Sequence, residues 1–337
     1  MTADKLVSII IPVFNAESHI AATLSSIINQ DYHNLEIIIV NDASSDSSRL
    51  IAENLLAAGS RHYKIIDHPQ NLGVSAARNT GLFASQGEYV LFCDGDDICA
   101  ENLASTLAGL LAKFDADLAF AGIVERFEDG RPDKPQRVPL HDPLPLDGEK
   151  ALYMRMLNPI APHTCCMMFR KELLTEHNIL FHEGCTAFED LEFQLKAFCH
   201  AQRVTYSNAC LYVYVHSSEM GSVRDNDTHA KKLRRYLDSS TAHLRAAEYL
   251  CTNAPSERTR YLAEHMLLPE AMIRKFTVCA KAGDKSGFDA LLKDEDVRKI
   301  LLSSWRVFFR KPEIFMKALA VLLLPGLYFT MRRNKAR

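Results

Sequence analysis

The chain has 337 residues, with 47% hydrophobic and 24% charged residues and a formal net charge of −3. These ordinary proportions exclude global disorder, and the balanced charge excludes a nucleic-acid footprint over the chain as a whole. The length favours two domains, or one large domain with an extension, and supplies a sizeable core without staples.

The first 125 residues alternate strand and helix signals. Val7 to Ile11 is a β-branched run ended by Pro12, and Ser18 to Asn29 follows as a helix with Ile20, Leu24, Ile27 and Ile28 at helical spacing. Leu35 to Val40 predicts a second strand, and Ser45 to Ala58 a helix closed by Gly59. Tyr63–Ile66, Val74–Ser85, Tyr89–Cys93, Ala100–Phe114 and Leu118–Val124 continue the alternation as strand, helix, strand, helix and strand. Apolar strands without alternation, spaced by amphipathic helices, imply a parallel sheet covered on both faces. Ligands of such sheets bind beyond the carboxyl ends of the strands. Polar clusters stand there: Pro12 to Glu17, Asn41 to Asp46 and Asp94 to Asp97.

Residues 126–148 are rich in Pro, Asp and Arg and read as a long connection with room for an edge hairpin. A mixed half follows, with a helix near Lys150–Leu157, a strand near Thr164–Phe169, a helix over Asp190–His200 and a strand over Val204–Val215. From Thr228 onward the pattern is helical, interrupted near Pro255 and Gly283. The nine cysteines form no C-x-x-C pair and mostly sit in apolar runs, so buried reduced thiols in a reducing cytosol are expected. Met1 to Lys5 is polar and the run Ile9-Ile10-Ile11 stops at Pro12, so no secretion signal is expected.

The last segment departs from the chain average. Trp305 to Arg337 holds eight Lys/Arg and one acid, Glu313, a net of +7 that leaves −10 over the preceding residues. Residues 318–331 are fourteen uncharged residues, too few to span a bilayer and interrupted by Pro325-Gly326. Flanking Lys317 and Arg332-Arg333 fit an interfacial segment on anionic lipid, with a core-packed terminal helix as the alternative.

Two phosphate-binding fingerprints are missing: no G-x-G-x-x-G occurs, and no Gly-Lys-Ser/Thr completes a Walker loop. The fourth strand end carries Asp94-Gly95-Asp96-Asp97 instead. Carboxylates packed this closely repel one another unless a cation holds them, and oxygen ligands suit Mg²⁺ or Mn²⁺, which bridges a diphosphate. An acidic surface turn capping the next helix is the alternative.

The cluster stands last of four blocks, after Phe14-Asn15-Ala16-Glu17, Asn41-Asp42-Ala43-Ser44-Ser45-Asp46 and Asn71-Leu72-Gly73-Val74-Ser75-Ala76-Ala77-Arg78-Asn79. In order and spacing the chain resembles a family-2 glycosyltransferase of the GT-A fold, of the bacterial surface-polysaccharide type. The blocks resemble that family's "VSIIIPVYN", "NDGSSD", "N-x-G-x-x-x-A-R-N" and "DSDD", with Phe14 where the family often has Tyr. The resemblance implies an α/β, Rossmann-like GT-A domain over residues 1–220, with a nucleotide-binding half (1–125) and a mixed acceptor-side half (126–220). A helical extension over 221–337 carries the basic, apolar tail.

The resemblance also assigns roles. Pro12, Phe14 and Glu17 are expected to line the nucleotide pocket, Asp42 to meet the base edge and Arg78 to help hold the nucleotide. Asp94 is expected to approach the ribose and Asp96 to ligate Mn²⁺ or Mg²⁺. Core packing for Phe14, turn and cap chemistry for Asp42 and Asp46, and a solvated helix face for Arg78 are the local alternatives. Transfer to a hydroxyl also needs a base. Glu189-Asp190 stands at a predicted helix start and resembles the family's "ED", which makes Asp190 the expected base in an inverting displacement, with an N-cap or first-turn acid favoured by the helix dipole as the alternative. His216, before the turn that runs through Arg224, is a candidate third metal ligand, and His163 a candidate acceptor contact.

The expected activity is metal-dependent transfer of one sugar from a nucleotide-diphosphate sugar, a UDP-sugar first among them, to a hydroxyl of a lipid-linked saccharide. The expected place is the cytoplasmic face of the membrane. A nucleotidyltransferase acting on sugar phosphates, and a catalytically silent GT-A-like nucleotide-binding protein, are the alternatives. The single tryptophan follows Ser304, so the processive Q-x-x-R-W signature is missing.

Overall fold

The computed structural model describes residues 5–140, 145–158, 160–216 and 228–334. Its contacts divide the chain into two units. The first comprises residues 1–151, 158–184 and 200–223, and the second 152–157, 185–199 and 224–337.

The first unit is built on one mixed sheet in the order β3-β2-β1-β4-β9-β6-β10-β5. Its strands are β1 (Val7–Val13), β2 (Leu35–Asn41), β3 (His62–Asp67), β4 (Tyr89–Phe92), β5 (Ile98–Cys99), β6 (Leu118–Phe127), β7 (Lys134–Gln136), β8 (Leu146–Asp147), β9 (Met167–Arg170) and β10 (Arg203–His216). Strands β1 to β4 pair in parallel, β9 runs against both β4 and β6, and β10 lies parallel to β6. The connection after residue 126 does form an edge hairpin, because β7 folds back antiparallel onto β6. The short β5 follows the acidic cluster directly and pairs antiparallel with β10.

Helices α1 (Ile20–Ile28), α2 (Ser48–Ala58) and α4 (Leu103–Phe114) share one continuous core with Val7, Ile9 and Ile11 of β1. Helix α3 (Val74–Ala84) packs on β1 and β2. There Gly81 lies so close to Ile10 that an added Cβ would meet its Cγ2 at 2.2 Å. With helices over both faces, β1 and β2 are buried almost throughout, which is why they lack alternation. Helix α5 (Gly148–Leu157) begins in this unit, and α6 (Lys171–Glu176) follows β9.

The second unit is helical: α7 (Glu189–His200), α8 (His229–Asn253), α9 (Glu257–Leu262), α10 (Leu268–Ala282), α11 (Lys285–Lys293), α12 (Glu295–Ser303), α13 (Pro312–Leu323) and α14 (Pro325–Asn334). A single π turn over Ala263–Leu267 joins α9 to α10. Helix α7 groups with the helices rather than with the sheet. One link of α7 to that unit is an ion pair: Glu192, 2% exposed, meets Arg245 of α8 at 2.7 Å and also Lys196 of its own helix at 2.7 Å.

Candidate active site

The carboxyl end of β1 is laced to the loop after β2. Asn15 adopts a left-handed φ of 49°, and its Oδ1 accepts from the Ser45 N–H at 2.9 Å while its own N–H donates to Ser44 Oγ at 3.1 Å. The Ala16 N–H donates to Ser48 Oγ at 2.7 Å. Glu17 joins the same lacing: its Oε2 accepts from the Ser47 N–H at 3.0 Å, at the start of α2. A carboxylate is favoured there by the helix dipole. Phe14 is half exposed beside this loop and is therefore no core aromatic.

Asp42 ties the second block to the third. It is 3% exposed, and its oxygens accept from the N–H groups of Leu72 and Gly73, each at 2.8 Å. Its Oδ1 also lies 2.7 Å from His68 Nδ1, and the other ring nitrogen meets Thr80 Oγ1 at 3.0 Å. Asp42 thus shapes the loop that enters α3, whatever further contact it makes. Gly73, at φ 91°, supplies the backbone conformation which that entry needs.

Arg78 is buried on α3, and this removes the solvated-face reading. Its Nη2 donates to Asp94 Oδ1 at 2.7 Å, and its guanidinium lies 5.1 Å from the Phe181 ring centroid. Phe181 is pinned in turn, since Asn79 bonds both its N–H and its carbonyl at 2.9 Å.

The acidic turn leaves β4 against β1. A Cβ on Gly95 would stand 3.1 Å from the Pro12 carbonyl oxygen, so the absence of a side chain brings the turn close to the end of β1. Carboxylate oxygens of Asp94, Asp96 and Asp97 lie within 4.8 Å of one another. Their environments separate them. Burial works to raise the Asp94 pKa, but the charge and hydrogen bond of Arg78 hold it below the usual carboxylate range. Asp96 is pushed up to about 7, by burial first and then by the negative charge of Asp94. Asp97 is raised by burial and by its two acidic neighbours. It is fully buried, and its oxygens accept from Tyr212 Oη at 2.7 Å and from the Val215 N–H at 2.8 Å, which makes it a brace between the turn and β10. The Tyr212 hydroxyl also accepts from the Asp94 N–H at 3.2 Å.

Oxygen donors at this density fit a hard divalent cation, with Asp96 the best placed to bind it and Asp94 beside it. His216 lies outside that cluster among the described residues. The register of β10 on β6 pairs it with Phe127, so its ring stacks on Phe127 at 4.5 Å and its Nε2 lies 3.6 Å from Glu125. The turn from Ser217 through Arg224 lies outside the described residues. His163 sits 5.3 Å from the Tyr214 ring and near enough to Asp94 for its charge to lower the Asp94 pKa. It also lines a cavity of about 190 Å³ shared with Phe120, Gly122, Gln136 and Arg137.

In the second unit, Asp190 stands in the first turn of α7 with Glu189 and Glu192. Phe188 before it is held at φ 65°, a strained conformation for a bulky residue. Arg155 is buried and bonded to Gln194 at 3.0 Å. Burial lowers its pKa while the charge of Asp190 opposes that shift. Sequence reasoning missed Tyr212, His68, Phe181 and Arg155. Each acts through a partner 26 or more residues away, a pairing that no local pattern carries.

The description Glycosyl transferase family 2 matches residues 8–177, half of the chain, from β1 through α6. This chain belongs to that family. An uncharacterized glycosyltransferase of Bacillus subtilis, EpsJ, is 33% identical over 218 residues, which cover 62% of this chain and 60% of EpsJ. The chain therefore spans less than two thirds of that relative. Among solved structures, residues 1–349 of Staphylococcus aureus TarS in complex with UDP-GlcNAc superpose with a TM-score of 0.68 at 21% identity, covering 95% of this chain and 91% of that one. The Pyrobaculum calidifontis mannosyltransferase PcManGT, in complex with GDP-Man and Mn²⁺, gives 0.55 at 18% identity, covering 96% and 88%. These likenesses establish the GT-A fold, Rossmann-like and mixed, that the four blocks predicted.

Proposed function

We propose that this family-2 protein is a metal-dependent, inverting glycosyltransferase that moves one sugar from a nucleotide-diphosphate sugar to an acceptor hydroxyl. The observation that carries the reading is the three-acid turn at the carboxyl end of β4, where carboxylate oxygens of Asp94, Asp96 and Asp97 lie within 4.8 Å of one another and burial and Asp94 raise the Asp96 pKa. A buried carboxylate left in that state gains most when a cation replaces its proton.

Pro12 and Phe14 flank the pocket for the nucleotide, and Asp42, through the loop it shapes, receives the base. Glu17 lines the same pocket while its carboxylate holds the start of α2. Arg78 keeps Asp94 ionised and oriented toward the ribose. Asp96, with Asp94, would hold Mn²⁺ or Mg²⁺, which when bound supplies positive charge to a departing diphosphate. In the proposed step a bond forms between the acceptor oxygen and the anomeric carbon as the bond from that carbon to the diphosphate breaks. Asp190 takes the acceptor proton, and the diphosphate leaves with the electron pair. Attack opposite the leaving group converts an α-donor into a β-linkage. A UDP-sugar is the favoured donor, supported by the UDP-GlcNAc complex of the structural relative. The cavity beside His163 is the proposed seat of an acceptor saccharide, carried on lipid at the cytoplasmic membrane face during surface-polysaccharide assembly.

The test is a donor screen: protein with Mn²⁺ and UDP-, GDP- or dTDP-sugars, reading released nucleoside diphosphate. Release from one donor, abolished by EDTA and by Asp96→Ala, is the expected result. Release that survives both would overturn the metal assignment. Tight UDP binding without any turnover, whatever saccharide is added, would overturn the enzymatic reading.

A further inference from the structure

Helices α13 and α14 meet at Leu324-Pro325 with a bend of 111°. The bend follows from Pro325, which removes an N–H that would continue α13 and presets the first turn of α14. One side of the pair is spent on packing. Ile314, Ala318 and Val321 are buried, Phe329 meets Phe288 edge-on at 5.2 Å, and the Tyr328 hydroxyl lies 2.9 Å from Thr277 Oγ1. The other side is apolar and uncovered: Met316, Leu323, Leu324, Leu327 and Met331 are each more than half exposed, and Leu323 reaches 70%. An outer helix face on a soluble surface is ordinarily polar, and a contiguous apolar patch marks a docking surface.

Two further observations identify the occupant. The exposed side is hollowed into a groove of about 300 Å³, lined by Met316, Ala320, Leu324, Leu327 and Met331 together with the cationic side chains Lys317 and Arg332. The surrounding segment, Trp305 to Arg337, carries a net charge of +7 in a chain that is otherwise acidic. Among the described residues no single helix is long and apolar enough to cross a membrane, and two short helices at 111° do not make a straight span. A largely apolar groove that also presents two cationic side chains matches an amphiphile whose tail is hydrocarbon and whose head is anionic.

We infer that the α13–α14 corner seats an anionic phospholipid of a bilayer face, with an acyl chain in the groove and the headgroup phosphate between Lys317 and Arg332. The corner is thereby a shallow interfacial anchor. This inference goes beyond sugar transfer and does not depend on it.

The test is co-sedimentation of the full chain with vesicles of phosphatidylcholine alone or of phosphatidylcholine with phosphatidylglycerol. Wild-type protein is expected to partition onto the anionic vesicles and far less onto the neutral ones. Lys317→Gln and Arg332→Gln are each expected to weaken that partition about fivefold at low salt. Leu324→Ser with Leu327→Ser should weaken it at least tenfold, with a loss that persists at high salt, where the charge contribution is screened. Glycerol phosphate in solution should not release the protein. Equal partition onto both vesicle types, no partition, insensitivity to the leucine changes, or release by glycerol phosphate would each overturn the inference. Donor turnover without vesicles, read on the same variants, separates this result from the proposed function, because none of the four residues belongs to that site.

Discussion

Replacing Tyr212 by Phe removes one oxygen from the centre of the acidic turn. The ring is fully buried, its hydroxyl donates to Asp97 at 2.7 Å, and it accepts from the Asp94 N–H at 3.2 Å. The substitution keeps the ring packing and strands a buried Asp97 oxygen and the part-buried Asp94 N–H, where a fully buried polar group left unsatisfied costs about 1–3 kcal/mol. A loss of roughly 3 kcal/mol is the expected sum, which for a unit of this size lowers Tm by roughly 6–12 °C. The Asp94 backbone also loses an anchor, so binding of UDP with Mn²⁺ should weaken alongside stability. Thermal unfolding with and without Mn²⁺, and titration of UDP at a temperature where the variant is folded, read both effects. A melt within 2 °C of wild type, with unchanged UDP affinity, would refute the claim that this hydroxyl holds the turn.

The remaining predictions address the carboxylates and one loop residue. Asp96→Asn should abolish metal-dependent turnover yet stabilise the metal-free protein, since it removes a charge that burial and Asp94 both disfavour. The sign follows from linkage. With a folded pKa of about 7 against 3.8, the native state binds the extra proton, so this contribution is fully present below pH 4 and fades as pH rises through 7. The stability difference between wild type and Asp96→Asn should therefore widen by roughly 4 kcal/mol at most across that window, and Mn²⁺ should erase it. Asp190→Asn should lower kcat by about 10²–10⁴ while donor KM stays nearly unchanged, as steady-state kinetics will show. Ala43 holds a left-handed φ of 59°, so Ala43→Gly should raise stability by about 0.5 kcal/mol in urea unfolding, strain relief outweighing added chain entropy.

The sheet was legible because its signals are local. Ile9-Ile10-Ile11 and Ile37-Ile38-Ile39 are buried by helices on both faces, and Pro12 and Asn41 mark where each strand ends at the ligand side. The four blocks were legible for the same reason, and the structure draws three of them together through Asn15, Ser44 and Asp42. What the sequence concealed depends on strand order. The fate of His216 follows from the register of β10 on β6, which seats it over Phe127 beside Glu125. The brace on Asp97 exists only because β5 pairs with β10. The ion pair that links α7 to α8 joins Glu192 and Arg245, which stand 53 residues apart.

The acidic turn resolves a problem of charge by giving each carboxylate a different environment. Asp94 is held ionised by Arg78, at 2.7 Å. Asp97 gives both its oxygens to β10 and so belongs to the framework. Asp96 is left with burial and the charge of Asp94 against it, relieved only by the weaker influence of a backbone N–H and of Arg78. Three equivalent acids would share this repulsion and flex apart. Here Asp94 is fixed by Arg78 and Asp97 by β10, and Asp96 is the raised carboxylate whose strain no side-chain hydrogen bond offsets. The same division gives the turn two separable modes of failure. Loss of Arg78 should disorder Asp94 and raise its pKa, whereas loss of Tyr212 should loosen the turn as a whole. A cation restores the first defect in part, through its own charge on Asp94, and cannot replace the hydrogen bonds lost in the second.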